Sequence, residues 1–261
     1  MKTVIISGGN IQETFASGFL SEYPYDLMIA ADSGLDYCLQ SGHLPDMIVG
    51  DFDSLRHQEL LKTAESPKTA DLSAESEESP KTADSTAGSV GPGAPGKRDA
   101  AREQILTIMD RKIRMIRHRP EKDATDTELA VTLAAAQGAD EVVLLGATGT
   151  RLDHVWGNLS LLCRLREMRI RSWMIDANNR ISMPFEKEIQ LRKDGQFGKY
   201  VSILPYGGPV TGLTLTGFHY PLTDYTLNPG CESLCVSNEI EAETAWIRYQ
   251  SGIPAVIESR D

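Results

Sequence analysis

"DLMIAADSGLDYCLQSGHLPDMIVGDFDSL", residues 26–55, contains two short apolar runs, "LMIAA" and "MIVG", and each ends in a polar, acidic turn. Between them "GLDYCLQSG" puts Leu35, Cys38 and Leu39 at helical spacing, and Gly42 stands where a helix would stop. The stretch therefore reads strand, helix, strand. Upstream, "TVIIS" (3–7) is another β-branched run and ends in Gly8-Gly9. Strands alternating with helices, apolar on both faces, predict an α/β fold built on a mostly parallel sheet.

The same rhythm returns later. "KIRMIRHR" reads as a half-exposed strand, although "REQILTIMD" just before it has a helical look. In "EKDATDTELAVTLAAAQGAD", Leu129, Leu133 and Ala136 keep helical spacing up to a stop at Gly138. A buried strand follows at 141–145, then a glycine-rich turn at 146–149 and a helix from about His154. Beyond about Arg171 only short strands and Asn, Gly and Pro turns remain, which predicts a smaller all-β sandwich. The expected division is 1–170 for the α/β part and 171–261 for the β part.

Residues 62–101 break the pattern. They hold no aromatic residue and no Ile, and "ESPKTAD" occurs identically at 65–71 and 78–84. So little apolar surface does not offset the entropy of ordering, so a disordered insertion is expected there.

The bulk composition excludes several classes. With 261 residues, 41% hydrophobic, the chain is long enough for a sizeable core. A net charge of -11 argues against nucleic-acid binding, which leaves a basic footprint. No apolar run approaches the ~20 residues of a membrane span, and "MKTVIISGGN" reads as a first strand rather than a signal peptide. Cys38, Cys163, Cys231 and Cys235 form neither a disulfide framework nor a zinc set, which suits a cytoplasmic protein.

The acidic residues follow the strand ends: Asp32 in "ADSG", Asp51 and Asp53 in "GDFDS", Asp123 and Asp126 in "KDATD", and Asp153 in "TGTRLDH". On an extended backbone Asp51 and Asp53 would face the same way. Such a pair is either the ligand set of a divalent metal or an Asp-rich turn in which Asp53 or Ser54 caps the next helix. In open α/β sheets the carboxyl ends of the strands form the ligand crevice. Several carboxylates gathered there would repel one another unless Mg²⁺ neutralised them, and phosphate oxygens would complete the metal's shell. A nucleoside triphosphate is the expected second partner. "GATGTR" lacks the Lys-Ser/Thr ending of a Walker loop, so Gly146 and Gly149 are read as letting backbone approach the nucleotide.

Five motifs in order, "AADSGLDYCLQSGHLPDMIVGDFDSL", "KDATDTELA", "GATGTRLDHVWGNL", "TGFHYPLTDYTL" and "VSNE", resemble the motif series of the thiamine pyrophosphokinase (thiamine diphosphokinase) family. The resemblance covers nearly the whole chain apart from residues 62–101. It implies a Rossmann-like N-terminal domain, a β-sandwich C-terminal domain, and a homodimer with active sites at the interface. It also implies the reaction of ATP with thiamine to give AMP and thiamine diphosphate. Carried over by position, Asp51, Asp53 and Asp126 match the Mg²⁺ and phosphate acids. Thr125 and Asp153 match ATP contacts, and Asp32 lies in the same nucleotide crevice. Ser237 and Asn238 match the thiamine-recognition segment, reaching the site across the dimer.

Asp126 or Asp153 is the candidate acceptor of the hydroxyl proton. Lys122, Arg151 and His154 are candidate cations for the phosphates, each weighed against an ordinary surface salt bridge. Trp156 is read as core and Trp246 as packing. Two alternatives stand beside this reading: a pyrophosphokinase for a hydroxymethyl pterin, and a non-catalytic nucleotide or thiamine-phosphate sensor.

Overall fold

A computed structural model describes residues 1–53, 56, 59, 102–118, 123–149, 151–230 and 234–261. The insertion expected at 62–101, together with Lys122 and Cys231, lies outside the described residues.

The N-terminal part runs β1 (Lys2–Ile6), α1 (Glu13–Glu22), β2 (Leu27–Ala31), α2 (Gly34–Ser41) and β3 (Met47–Gly50). It continues with β4 (Arg102–Ile108), β5 (Arg111–Arg117), α3 (Asp126–Ala136), β6 (Glu141–Leu145), α4 (Leu152–Glu167) and β7 (Arg171–Ile175). Six of these strands, in the order β7-β6-β1-β2-β3-β5, are mutually parallel. Their continuous apolar runs are explained by burial on both faces. On one face Ile5, Ile29, Val142 and Leu144 pack against Val131 of α3 and Leu162 of α4. On the other, Val4, Met28, Ile48 and Val143 pack against Leu20 of α1 and Leu35 of α2. Gly42 ends α2 in the left-handed conformation at φ 76°, as its position in the sequence suggests.

The "REQILTIMD" segment is not helical. It forms β4, antiparallel to β5, and Met109 and Asp110 make the two-residue turn at φ 47° and 62°. Leu106 and Ile108 point inward while Thr107 is exposed, an alternation that suits a strand. Helix α1 was not foreseen from the sequence.

The C-terminal part runs β8 (Asn179–Ser182), β9 (Glu188–Arg192), β10 (Tyr200–Pro205), β11 (Val210–Thr216), β12 (Leu222–Leu227), β13 (Asn238–Glu239), β14 (Thr244–Arg248) and β15 (Pro254–Ser259). Its strands are divided between two sheets, so it is less separate than expected. Strands β8, β15, β10 and β13 extend the large sheet antiparallel from β7, giving one 11-stranded mixed sheet. The other four form an antiparallel sheet in the order β12-β11-β14-β9. Val201, Ile203 and Val256 of the first sheet share a core with Leu213, Leu215 and Ile247 of the second, which is sheet-on-sheet packing. Among the described residues no helix is long and apolar enough to cross a membrane.

Candidate functional site

The chain travels outward from β1 to β2 and β3, then returns to place β6 on the other side of β1. This reversal opens a crevice at the carboxyl ends of β1 and β6. Two glycine loops form its floor. Gly9 donates its N–H to the Gly146 carbonyl at 2.9 Å, and a Cβ on Gly9 would stand 2.3 Å from that oxygen. Gly9 and Gly146 are therefore required for the close approach of the two loops, whereas Gly149 faces the crevice.

The crevice measures about 400 Å³ and is bordered by Gly8, Gly9, Asp32, Thr125, Asp126, Gly149, Arg151 and His154. Thr125 caps α3, its Oγ1 accepting the Glu128 N–H at 3.2 Å. That cap sets Asp126 in the first turn of α3, directly beside Gly50. A Cβ on Gly50 would lie 3.2 Å from Asp126 Oδ1 and 3.3 Å from Asp32 Cα. The end of β3 is thus wedged between two of the candidate acids.

Asp51 and Asp53 sit just beyond, and not on an extended strand as the alternation argument supposed. Strand β3 ends at Gly50, and Phe52 turns the chain with a left-handed φ of 62°. The Asp53 N–H donates to Asp51 Oδ1 at 3.2 Å across this turn. Carboxylate oxygens of Asp32, Asp51 and Asp53 come within 4.8 Å of one another. Two oxygens each ~2.1 Å from Mg²⁺ lie at most about 4.2 Å apart, so small side-chain rotations would let all three share one ion. Among the described residues this is the only such group of three or more metal-binding side chains. Asp32, expected only as a nucleotide neighbour, belongs to it.

Asp153 stands apart from that group. Its carboxylate takes Nε and Nη2 of Arg151 at 3.2 and 2.5 Å and the His154 N–H at 3.0 Å. The Arg151 hydrogen bond holds the Asp153 carboxyl below its ordinary range and raises the guanidinium in turn. Trp156 is not core: it is 68% exposed on the outer face of α4, tilted against Tyr206 at 6.5 Å. Trp246 is half-buried on β14, with the Arg248 guanidinium 5.0 Å from its ring.

Two supports escaped the sequence reading. Ser7 and Thr127 hydroxyls meet at 2.9 Å, tying β1 to α3, and Asn158 Nδ2 donates to the Ala147 carbonyl at 2.8 Å, tying α4 to the glycine loop. Each joins segments far apart in the chain, so only the fold reveals it.

At the opposite end of the large sheet lies "VSNE". Asn238 is only 3% exposed, and its side chain is fully used inside the protein. Its Oδ1 accepts the N–H groups of Tyr220 and Glu239 at 3.0 Å each, and its Nδ2 donates to the Tyr220 carbonyl at 2.8 Å. Asn238 therefore clasps Tyr220, which is 62% exposed. Ser237 is exposed at a left-handed φ of 57°. Eight strand steps separate β13 from β3 in the sheet order. At ~4.8 Å per step they are roughly 38 Å apart along the sheet.

Comparison with known proteins gives a consistent picture. Residues 94–174 match the family model "Thiamin pyrophosphokinase, catalytic domain", and residues 186–253 match "Thiamin pyrophosphokinase, vitamin B1 binding domain". Together they span more than half of the chain. The thiamine pyrophosphokinase of Bacillus subtilis (strain 168) is 28% identical over 263 residues, covering the whole of both chains. The crystal structure of that species' enzyme superposes with a TM-score of 0.71 at 27% identity over all of both chains. The Geobacillus thermodenitrificans structure gives 0.70 at 26% identity, covering 100% of this chain and 98% of that one.

Proposed function

The chain belongs to the thiamin pyrophosphokinase family, and from that membership we infer that it transfers the pyrophosphoryl group of ATP to the hydroxyl of thiamine. The observation that carries the reading within this structure is the gathering of Asp32, Asp51 and Asp53 beside Asp126 at the mouth of the nucleotide crevice. A donor set made of carboxylates alone suits a hard ion such as Mg²⁺. Asp32, Asp51 and Asp53 would hold it, with Asp126 alongside. Bound there, it would neutralise charge on the β- and γ-phosphates.

The remaining work falls to the chain's own residues. Gly149 faces the crevice and lets phosphates approach backbone closely, and Arg151 and His154 supply cationic and hydrogen-bonding reach at the start of α4. Transfer of this kind depends on positioning and charge stabilisation rather than covalent help. The thiamine oxygen forms a bond to the β-phosphorus in line with the bond that breaks, between that phosphorus and the oxygen bridging to the α-phosphate. AMP leaves with the bridging oxygen. The hydroxyl proton passes to a carboxylate at the acid cluster, for which Asp126 is best placed.

Thiamine recognition belongs to the β half, where Ser237 and the ring of Tyr220, clasped by Asn238, face outward. Because β13 lies so far along the sheet from the acids, the recognition segment serves the acid cluster of a second copy. The protein then works as a homodimer with two shared sites. Leu152 and Trp156 beside the crevice, with Leu204, Tyr220, Leu234 and Val236 in the β half, are the exposed apolar side chains such a partner would cover.

The test is product analysis with ATP, Mg²⁺ and thiamine. AMP and thiamine diphosphate should appear in equal amounts. AMP formation with a hydroxymethyl pterin and none with thiamine would keep the chemistry and replace the acceptor. ATP binding without turnover would favour a sensor.

A further inference from the structure

Between the two acids of "DFD" stands Phe52, a core residue set apart by its backbone and its neighbours. Its φ of 62° lies in the left-handed region, which bulky side chains rarely enter. Its side chain is 1% exposed, among the largest fully buried in the protein, within the cluster that includes Ile48 of β3 and Leu35 and Cys38 of α2. And its flanking residues are the acids whose oxygens converge with Asp32. Glycine would give the same turn without strain, but it would leave the loop unanchored. A strained backbone persists only where its surroundings over-determine it, and such places cluster at functional sites.

We propose that Phe52 is a positioning residue: its buried ring and left-handed backbone aim Asp51 and Asp53 so that they share one divalent cation with Asp32. The inference rests on the functional reading above and adds a requirement to it. The ring acts as a peg that fixes the turn. The turn reverses the chain so that the two carboxylates meet, with the Asp53 N–H on Asp51 Oδ1 steadying the pair. Residues that only orient metal ligands typically influence metal affinity by about 10–100-fold.

Two apolar substitutions separate this role from simple core packing. Phe52→Leu keeps an apolar peg and tolerates the turn better than Phe52→Ile, whose β-branch resists a left-handed backbone. Binding is read on the full chain without nucleotide, from the electron paramagnetic resonance signal of free Mn²⁺. The Mg²⁺ concentration giving half-maximal turnover and the melting temperature are measured alongside. Phe52→Leu should bind Mn²⁺ within about threefold of the wild type, and Phe52→Ile should bind at least about tenfold more weakly. The Mg²⁺ midpoint should move by the same factor, with kcat largely recovered at saturating Mg²⁺.

Wild-type Mn²⁺ affinity in both variants, whatever their melting temperatures, would overturn the positioning role and leave the functional reading intact. A wild-type protein that binds no Mn²⁺ and forms no AMP would remove the functional reading, and this role with it. If Phe52→Ile does not fold, Phe52→Gly decides, because glycine enters the turn freely and lacks the ring. Binding about tenfold weaker is then expected, and wild-type affinity would refute the role.

Discussion

Arg151 and Asp153 close a fork at the edge of the crevice, with Nε and Nη2 of the guanidinium on the two carboxylate oxygens at 3.2 and 2.5 Å. The pair is exposed, so solvent screens it and its own contribution to stability is small. The hydrogen bonds orient Arg151, which borders the crevice, so the proposed role of Asp153 is to act through it. Arg151→Ala should raise KM for ATP by about tenfold, the loss of one charge-assisted contact. The double variant with Asp153→Asn should cost no more than the larger single change, as for groups that act as one unit. Steady-state kinetics of the three variants decides. Independent, additive losses would return Asp153 to direct contact with substrate.

Gly50→Ala tests the wedge at the end of β3. Gly50 has φ 155°, and an added Cβ would press on Asp126 Oδ1 and on Asp32 at 3.2–3.3 Å. The protein should still fold, with a stability loss of about 1–3 kcal/mol from the strained backbone. Turnover should fall about tenfold or more, since each 1.36 kcal/mol lost in the transition state is tenfold in rate. Chemical unfolding and turnover, measured together, separate the two effects.

Asn238→Ala removes the clasp on Tyr220 and leaves part-buried backbone groups of Tyr220 and Glu239 without their partner. The cost should be about 1–3 kcal/mol per unsatisfied group. KM for thiamine should rise while KM for ATP stays within about twofold of the wild type, because the clasp presents Tyr220 to the acceptor and not to the nucleotide. A matched rise in both would contradict the assignment of this end to thiamine.

Tyr23 gives a pH prediction remote from the site. Burial, then its hydrogen bond to Glu141, raises the phenol well above its ordinary value of 10. The folded state therefore keeps its proton where the unfolded state loses it. This contribution to stability is fully present below about pH 10 and declines as pH rises beyond it. Tyr23→Phe should be less stable than the wild type at pH 7 and should lack this alkaline decline. Unfolding midpoints at pH 7, 9 and 11 check it.

Much of the parallel half was legible in the sequence. Its strands are buried on both faces, so their apolar runs are continuous, and glycines mark the helix end at Gly42 and the loops at Gly9 and Gly146. What misled was local signal overruled by pairing. "REQILTIMD" carries neither Gly nor Pro to mark a turn, yet its last two residues, Met109 and Asp110, take left-handed conformations and close a hairpin. The continuity of the large sheet into β8, β15, β10 and β13 depends on contacts remote in sequence, which no local pattern records. At the site, the acids were visible as residues but not as a set. Asp32 joins Asp51 and Asp53 only because β2 and β3 are neighbours, Asp153 stands on α4 and bonds Arg151 instead, and the turn at Phe52 contradicts the propensity of its side chain.

If one transfer site takes its acids from one chain and its thiamine contacts from another, two inactive variants should complement each other. Asp51→Asn and Tyr220→Ala proteins, each giving no product at a chosen low thiamine concentration, should be co-refolded in equal amounts and assayed for thiamine diphosphate. Random pairing makes half of the dimers mixed, each with one intact site of two, so about a quarter of wild-type activity should return. No recovery, with mixed dimers shown to have formed, would place both sets of residues in the same chain's site and contradict the account.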